Sequence, residues 1–213
     1  MEILVIFFTV YAILFVGELG DKTQLIVFNL ALENKKSYKV GLGASLGFAV
    51  IVTIGIIFGT IITNLIPLSL ISIISGLVFI VIGLLELRPL KKLYLERKKS
   101  NENTDNDKSD MKENEIGTRF AKMRKNPYIA GFLFIFIMEL GDKTQILTIT
   151  LATIYPYPLI VWLGSFLALT SLAWIGVGFG AIISRKVPKF YLKIVSIIIF
   201  ITIGLVIIIT ELL

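Results

Sequence analysis

The chain has 213 residues, 56% hydrophobic and 17% charged, with a mean hydropathy of +0.88, too apolar for a water-soluble globule, so a multi-pass membrane protein is predicted. It contains no cysteine and no histidine, which excludes disulfides, thiolate zinc and iron–sulfur centres and leaves oxygen atoms to hold any metal ion. The formal net charge of +6 does not point to a nucleic-acid partner, because the basic residues cluster at the ends of apolar segments and report orientation in a bilayer instead.

The first apolar segment runs from about Ile3 to Leu32, longer than the ~20 residues that cross a membrane. Met1-Glu2-Ile3-Leu4 lacks the basic start of a signal peptide, so a retained helix is expected from Ile3 onward. The segment must tilt, protrude or break, because past its centre it carries Glu18-Leu19-Gly20-Asp21-Lys22-Thr23-Gln24. Gly17 and Gly20 flank Glu18 and lower the cost of local unwinding, a device of transporter substrate sites. A second helix is predicted from about Val40 to Thr63 and a third from Pro67 to about Leu87.

From Arg88 to Asn126 the chain turns polar; Ser100 to Glu115 has almost nothing apolar to bury and reads as disordered linker, and basic Ile116 to Lys125 as a short surface helix beside anionic headgroups. Pro127 opens a fourth helix to about Ile154, the Tyr155-Pro156-Tyr157-Pro158 turn follows, and helices five and six span about Leu159 to Ser184 and Pro188 to Leu213.

The fourth segment repeats the heptapeptide without change, as Glu139-Leu140-Gly141-Asp142-Lys143-Thr144-Gln145. At the same offset of 121 residues, Leu42-Gly43 matches Leu163-Gly164, Phe58-Gly59 matches Phe179-Gly180, Pro67 matches Pro188 and Gly83 matches Gly204, with no gap. The predicted fold is therefore an all-α membrane protein with six transmembrane helices as two inverted-topology three-helix repeats. An odd number of crossings per repeat turns the second copy upside down. The expected division is residues 1–88 as the first repeat, 89–126 as a polar, partly disordered cytoplasmic linker and 127–213 as the second repeat.

Basic residues set the orientation. Lys35, Lys36 and Lys39, twelve Lys and Arg between Arg88 and Lys125, and Arg185, Lys186, Lys189 and Lys193 mark three connections, whereas the other two connections and both termini have none. The positive-inside rule puts the three basic connections, including the central linker, in the cytoplasm and both termini outside, in the cell membrane.

Ionisable side chains inside hydrocarbon are costly and usually mark an ion path. On a continuous helix Glu18, Asp21 and Lys22 would share one face, as would Glu139, Asp142 and Lys143, with Asn29 and Thr150 near the same stripes. Facing inverted copies would bring four carboxylates together. With two lysines they sum to −2, which one divalent cation or two protons would cancel. Oxygen ligands suit hard ions such as Ca²⁺, Mn²⁺ and Mg²⁺. The plainer alternative is a pair of buried salt bridges that fix helix register, which the duplication of the whole acid set disfavours. Small-xxx-small pairs at Gly43/Gly47, Gly55/Gly59 and Gly176/Gly180 read as close-packing surfaces against the motif helices. Ser45, Thr53, Ser165, Thr170 and Ser171 read as hydroxyls bonded back to their own helices, and Glu86, next to Arg88, as an interfacial residue outside the site.

Two E-x-G-D-K-[TS] motifs on the first helices of two three-helix halves, joined by a polar linker, resemble the Gdt-type family of manganese and calcium transporters. The resemblance implies Glu18, Asp21, Glu139 and Asp142 as metal ligands, with Lys22, Thr23, Gln24, Lys143, Thr144 and Gln145 supporting them. It implies no resident cofactor, Mn²⁺ or Ca²⁺ and protons as substrates, and movement of the metal out of the cytosol; the expected function is export of Mn²⁺, with Ca²⁺ second, in exchange for protons by rocking of the two inverted units. A cation channel or uniporter is the competing reading, and an intramembrane metalloenzyme a more distant one; no Ser–His or Cys–His pair is available to the latter.

Overall fold

Two of the predicted membrane helices are each broken in two. In the computed structural model, which describes residues 2–32, 36–100, 126–186 and 189–212, the first apolar segment forms α1 (Glu2–Glu18) and α2 (Lys22–Leu32). Its repeat forms α5 (Pro127–Glu139) and α6 (Lys143–Ile154). The other elements are α3 (Ser37–Leu65), α4 (Leu68–Ser100), α7 (Pro158–Lys186) and α8 (Lys189–Leu212). Every described element is helical, and four stretches are long and apolar enough to cross a membrane unaided: Ser37–Leu65, Ser69–Leu87, Pro158–Gly178 and Ile194–Leu212. α4 continues beyond Leu87 as far as Ser100, so the chain stays helical into the stretch expected to be linker. Most of that linker, including the expected disordered stretch and surface helix, lies outside the described residues.

Local chemistry accounts for the boundaries. Asn126 caps α5, its side chain accepting from the Tyr128 amide at 3.1 Å, and Pro127 takes the first turn, where a missing N–H costs nothing. The Tyr155-Pro156-Tyr157-Pro158 turn separates α6 from α7.

The two halves are interleaved. α3 packs chiefly on α5, α6 and α7, α1 and α2 on α7, and α4 on α8, so each helix finds its main partner in the other half. The contacts come in exchanged pairs at the repeat offset. A Cβ on Gly43 would collide with the Tyr128 carbonyl, and one on Gly164 would stand 3.0 Å from the carbonyl of Phe7, the residue equivalent to Tyr128. Gly55 lies against Thr148 and Gln145, and Gly176 against Gln24. Gly204 meets the Gly76 carbonyl, while its equivalent Gly83 meets Ile197, the equivalent of Gly76. Phe79 and Phe200, also equivalent, meet in a tilted ring contact with centroids 6.2 Å apart, and Phe200 fills the space over Gly17. Such reciprocity is what a two-fold relation between the halves produces. The glycine faces thus pack on motif helices as expected, but on those of the opposite repeat.

The close approach has an energetic consequence. Gly43→Leu must drive α3 away from α5, whose backbone it touches, and is expected to cost about 3 kcal/mol or more. Gly178 is exposed with nothing within 4 Å of an added Cβ, so Gly178→Ala is expected to be neutral or slightly stabilising. Thermal unfolding of the two variants in detergent checks the contrast.

The outward faces carry large apolar side chains such as Leu4, Phe8, Ile57, Ile61, Leu77, Val81 and Ile198, each about half exposed or more. In water these would form an aggregating surface; against acyl chains they need no partner.

Candidate cation site at the helix breaks

Each break turns on a glycine. Gly20 has φ 80° and Gly141 φ 81°, the left-handed region, which lets the chain leave one helix and enter the next within three residues. The motif glutamine then repairs part of the interrupted hydrogen bonding. Gln24 Oε1 accepts from the Gly20 amide at 3.2 Å while its Nε2 donates to the Glu18 carbonyl at 3.0 Å, and Gln145 Oε1 accepts from the Gly141 amide at 2.6 Å. Since nothing lies within 4 Å of an added Cβ at Gly141, Gly141→Ala isolates backbone strain. It is expected to cost about 1–2 kcal/mol, and Gly141→Asn less, because Asn tolerates this conformation. Comparing their unfolding temperatures with that of the parent tests this.

The break removes the shared helical face expected for Glu18, Asp21 and Lys22. Instead the last residue of each upstream helix is bonded by the opposite motif. Thr144 Oγ1 donates to Glu18 Oε1 at 2.9 Å, and Thr23 Oγ1 donates to Glu139 Oε1 at 2.7 Å. Both glutamates are almost fully buried, at 5% and 2% exposure. Together with Asp21, Thr23 and Gln24 they line a cavity of about 20 Å³, whose other lining residues are apolar and include Phe48, Leu169 and Leu172. That is room for about one water or one ion. Glu139 Oε2 is buried with no hydrogen-bond partner.

The two aspartates are placed differently despite identical sequence around them. Asp21 forms an ion pair with Lys143 at 2.8 Å. Asp142 is exposed and caps α6, its Oδ1 accepting from the Lys143 amide at 2.7 Å, and it does not line the cavity. Glu18, Asp21 and Glu139 are therefore brought together and Asp142 stands apart; among the described residues no three acids stand at metal-ligand spacing. The Lys22 side chain lies outside the described residues. Asn29 is exposed, and Thr150 bonds back to the Ile146 carbonyl at 2.8 Å, as Ser45 and Thr53 do to Gly41 and Ala49; Ser165 and Thr170 do not bond back as expected, their hydroxyls being buried with no hydrogen-bond partner among the described residues.

Sequence reasoning missed Glu86. Expected at the interface, it is 7% exposed, and its Oε1 lies 3.0 Å from Lys143 Nζ. The available signal was a lone acid within an otherwise apolar run ending at Leu87, expensive in hydrocarbon unless paired. Arg88, two positions on, offered an interfacial explanation in the sequence.

An apolar helical bundle with carboxylates buried at two facing helix breaks has the construction of an intramembrane ion transporter. The sequence profile described as Divalent cation/proton antiporter GDT1 matches residues 6–93 and 127–213, and the chain belongs to that family of transporters. The two matched stretches fall on the two repeats. No curated protein and no solved structure matches the chain.

Proposed function

We propose that the chain exports Mn²⁺, with Ca²⁺ as second cargo, from the cytosol across the cell membrane in exchange for protons, through one site to which Glu18, Asp21, Glu139 and Asp142 contribute. The observation that carries this reading is Glu139 Oε2, a buried carboxylate oxygen with no partner, on a cavity shared with Glu18 and Asp21. An unsatisfied buried acceptor is costly, and either a hard cation or a proton satisfies it.

In this reading α1 with α2, and α5 with α6, are two broken spans which, with the four long helices, make six crossings in two inverted repeats. Both termini lie outside and the central connection is cytoplasmic, following the basic residues. The inequivalence of Asp21 and Asp142 supports alternating access. One motif corner is paired and packed while the other is exposed, and exchange of the two conformations would carry the site from one face to the other. Asp142 then becomes a ligand in the exchanged state, with Thr23, Lys143 and Thr144 holding the acids, Gln24 and Gln145 the breaks, and Lys22 completing its motif.

A continuously open pore is disfavoured by the small size of the cavity, and catalysis by the absence of His and Cys from the chain, which leaves no Ser–His or Cys–His pair. The deciding experiment is cation uptake into proteoliposomes with and without an imposed pH gradient, screened over Mn²⁺, Ca²⁺, Mg²⁺ and Zn²⁺. Saturable Mn²⁺ flux that requires the gradient supports the reading; unsaturable flux independent of it rejects antiport.

A further inference from the structure

Lys143 is held by more anions than the motifs supply. Its Nζ lies 2.8 Å from Asp21 Oδ2, 3.0 Å from Glu86 Oε1 and 2.9 Å from the Gly17 carbonyl, three short contacts for the three N–H donors of an ammonium. Glu18 Oε2 stands farther away at 3.6 Å. Two of these anions, Glu18 and Asp21, line the small cavity, whereas Glu86 comes from α4, none of whose described side chains lines it. Nor does the duplication explain Glu86, because the residue 121 positions later is Ile207. A buried acid outside both motifs has therefore been placed on the one described motif lysine.

The electrostatics suggest why. A divalent cation and an ammonium cannot share the same carboxylates at short range in a low-dielectric site, since their mutual repulsion is only weakly screened there. If the ammonium simply left, it would become an unpaired buried charge, which is strongly penalised. We propose that Glu86 is the seat onto which Lys143 withdraws when the cation enters. In the cation-free site the ammonium neutralises Asp21 and Glu18; in the loaded site it stays on Glu86 and the Gly17 carbonyl. The lysine stem needs only torsional motion for this, and it keeps a partner throughout. Glu86 is thus a positioning residue that sets cation affinity through Lys143 without touching the cation. The inference rests on the reading that Glu18 and Asp21 receive the cation.

Equilibrium Mn²⁺ binding to the purified, monodisperse full-length protein tests it in two backgrounds. Glu86→Gln leaves Lys143 only the neutral Gly17 carbonyl and no alternative anion, so it is expected to weaken Mn²⁺ binding about tenfold. Glu86→Asp, which keeps the charge, is expected to stay within about threefold of the parent. Lys143→Met removes the tethered competitor and is expected to tighten binding. In that background Glu86→Gln is expected to have less than about a threefold effect. An equal loss from Glu86→Gln in both backgrounds would show that Glu86 acts on the cation directly, and no loss in the parent would show that it does not act at all; either overturns the proposal. A lowered unfolding temperature with unchanged Mn²⁺ affinity would assign Glu86 a purely structural role and also overturn it. If Glu86→Gln does not remain monodisperse, Glu86→Met removes the same charge with a side chain suited to hydrocarbon and is read the same way. Glu18→Gln in parallel separates the two levels: unchanged Mn²⁺ binding there refutes the site itself, whereas loss there with additive Glu86 and Lys143 effects refutes only the withdrawal.

Discussion

Glu139→Gln is expected to lower proton-driven cation flux at least about a hundredfold while leaving a folded protein, and Glu18→Gln to do the same. Each amide keeps a side-chain oxygen to accept the hydroxyl bond from Thr23 or Thr144, so the cross-half contact that holds the breaks together survives. What is lost is a buried negative charge facing a cavity sized for one ion. Removing one member of a buried charged set costs about 3–5 kcal/mol, and about 2.7 kcal/mol already corresponds to a hundredfold. Flux in proteoliposomes, set beside unfolding temperature in detergent, distinguishes a dead site from a misfolded protein. Asp21→Asn and Asp142→Asn complete the series. Asp142 is the sharper case, because it is exposed here and matters only if the two motif corners exchange conformations. Parental flux in any two of the four variants would reject a single shared site.

The second large effect concerns coupling. The four motif carboxylates and two motif lysines sum to −2, so a site loaded with one divalent cation and a site loaded with two protons carry the same charge through the bilayer. Glu86 adds one further negative charge to both forms and cancels from the comparison. Exchange of one divalent ion for two protons is therefore expected, with no net charge moved per cycle. Metal flux at a fixed pH gradient should stay nearly constant when the voltage is clamped with a potassium gradient and valinomycin, and should collapse when the pH gradient is removed. A three-proton exchange would instead drive flux steeply with voltage and would overturn the count. Acidifying the metal-loading side should raise the metal concentration needed for half-maximal flux, because protons and metal compete for the same oxygens.

Much of this architecture was legible because it depends on short-range properties of the chain. The lengths of the apolar runs, Pro127 at the start of its helix, and the glycines beside each motif acid specify where helices begin and where they can break. The constant offset of 121 residues declares two equivalent units, and the motif acids declare where charge must be buried or used. An offset says which residues correspond, however, and not which ones touch. That Thr23 serves Glu139 and Thr144 serves Glu18, and that each glycine face receives the motif helix of the other half, follows from how the units interleave, because a buried polar group takes whichever partner the packing brings within reach. Glu86 was misread for the same reason: its near neighbour Arg88 is visible in the sequence, whereas Lys143, 57 positions away, is not. Two identical heptapeptides also cannot announce that they occupy different environments. The chain by itself determined a duplicated, oxygen-only acid set inside an apolar bundle; only the tertiary structure decided that Asp21 lies against Lys143 while Asp142 faces outward, because two copies of one sequence can be made inequivalent only by what each is packed against.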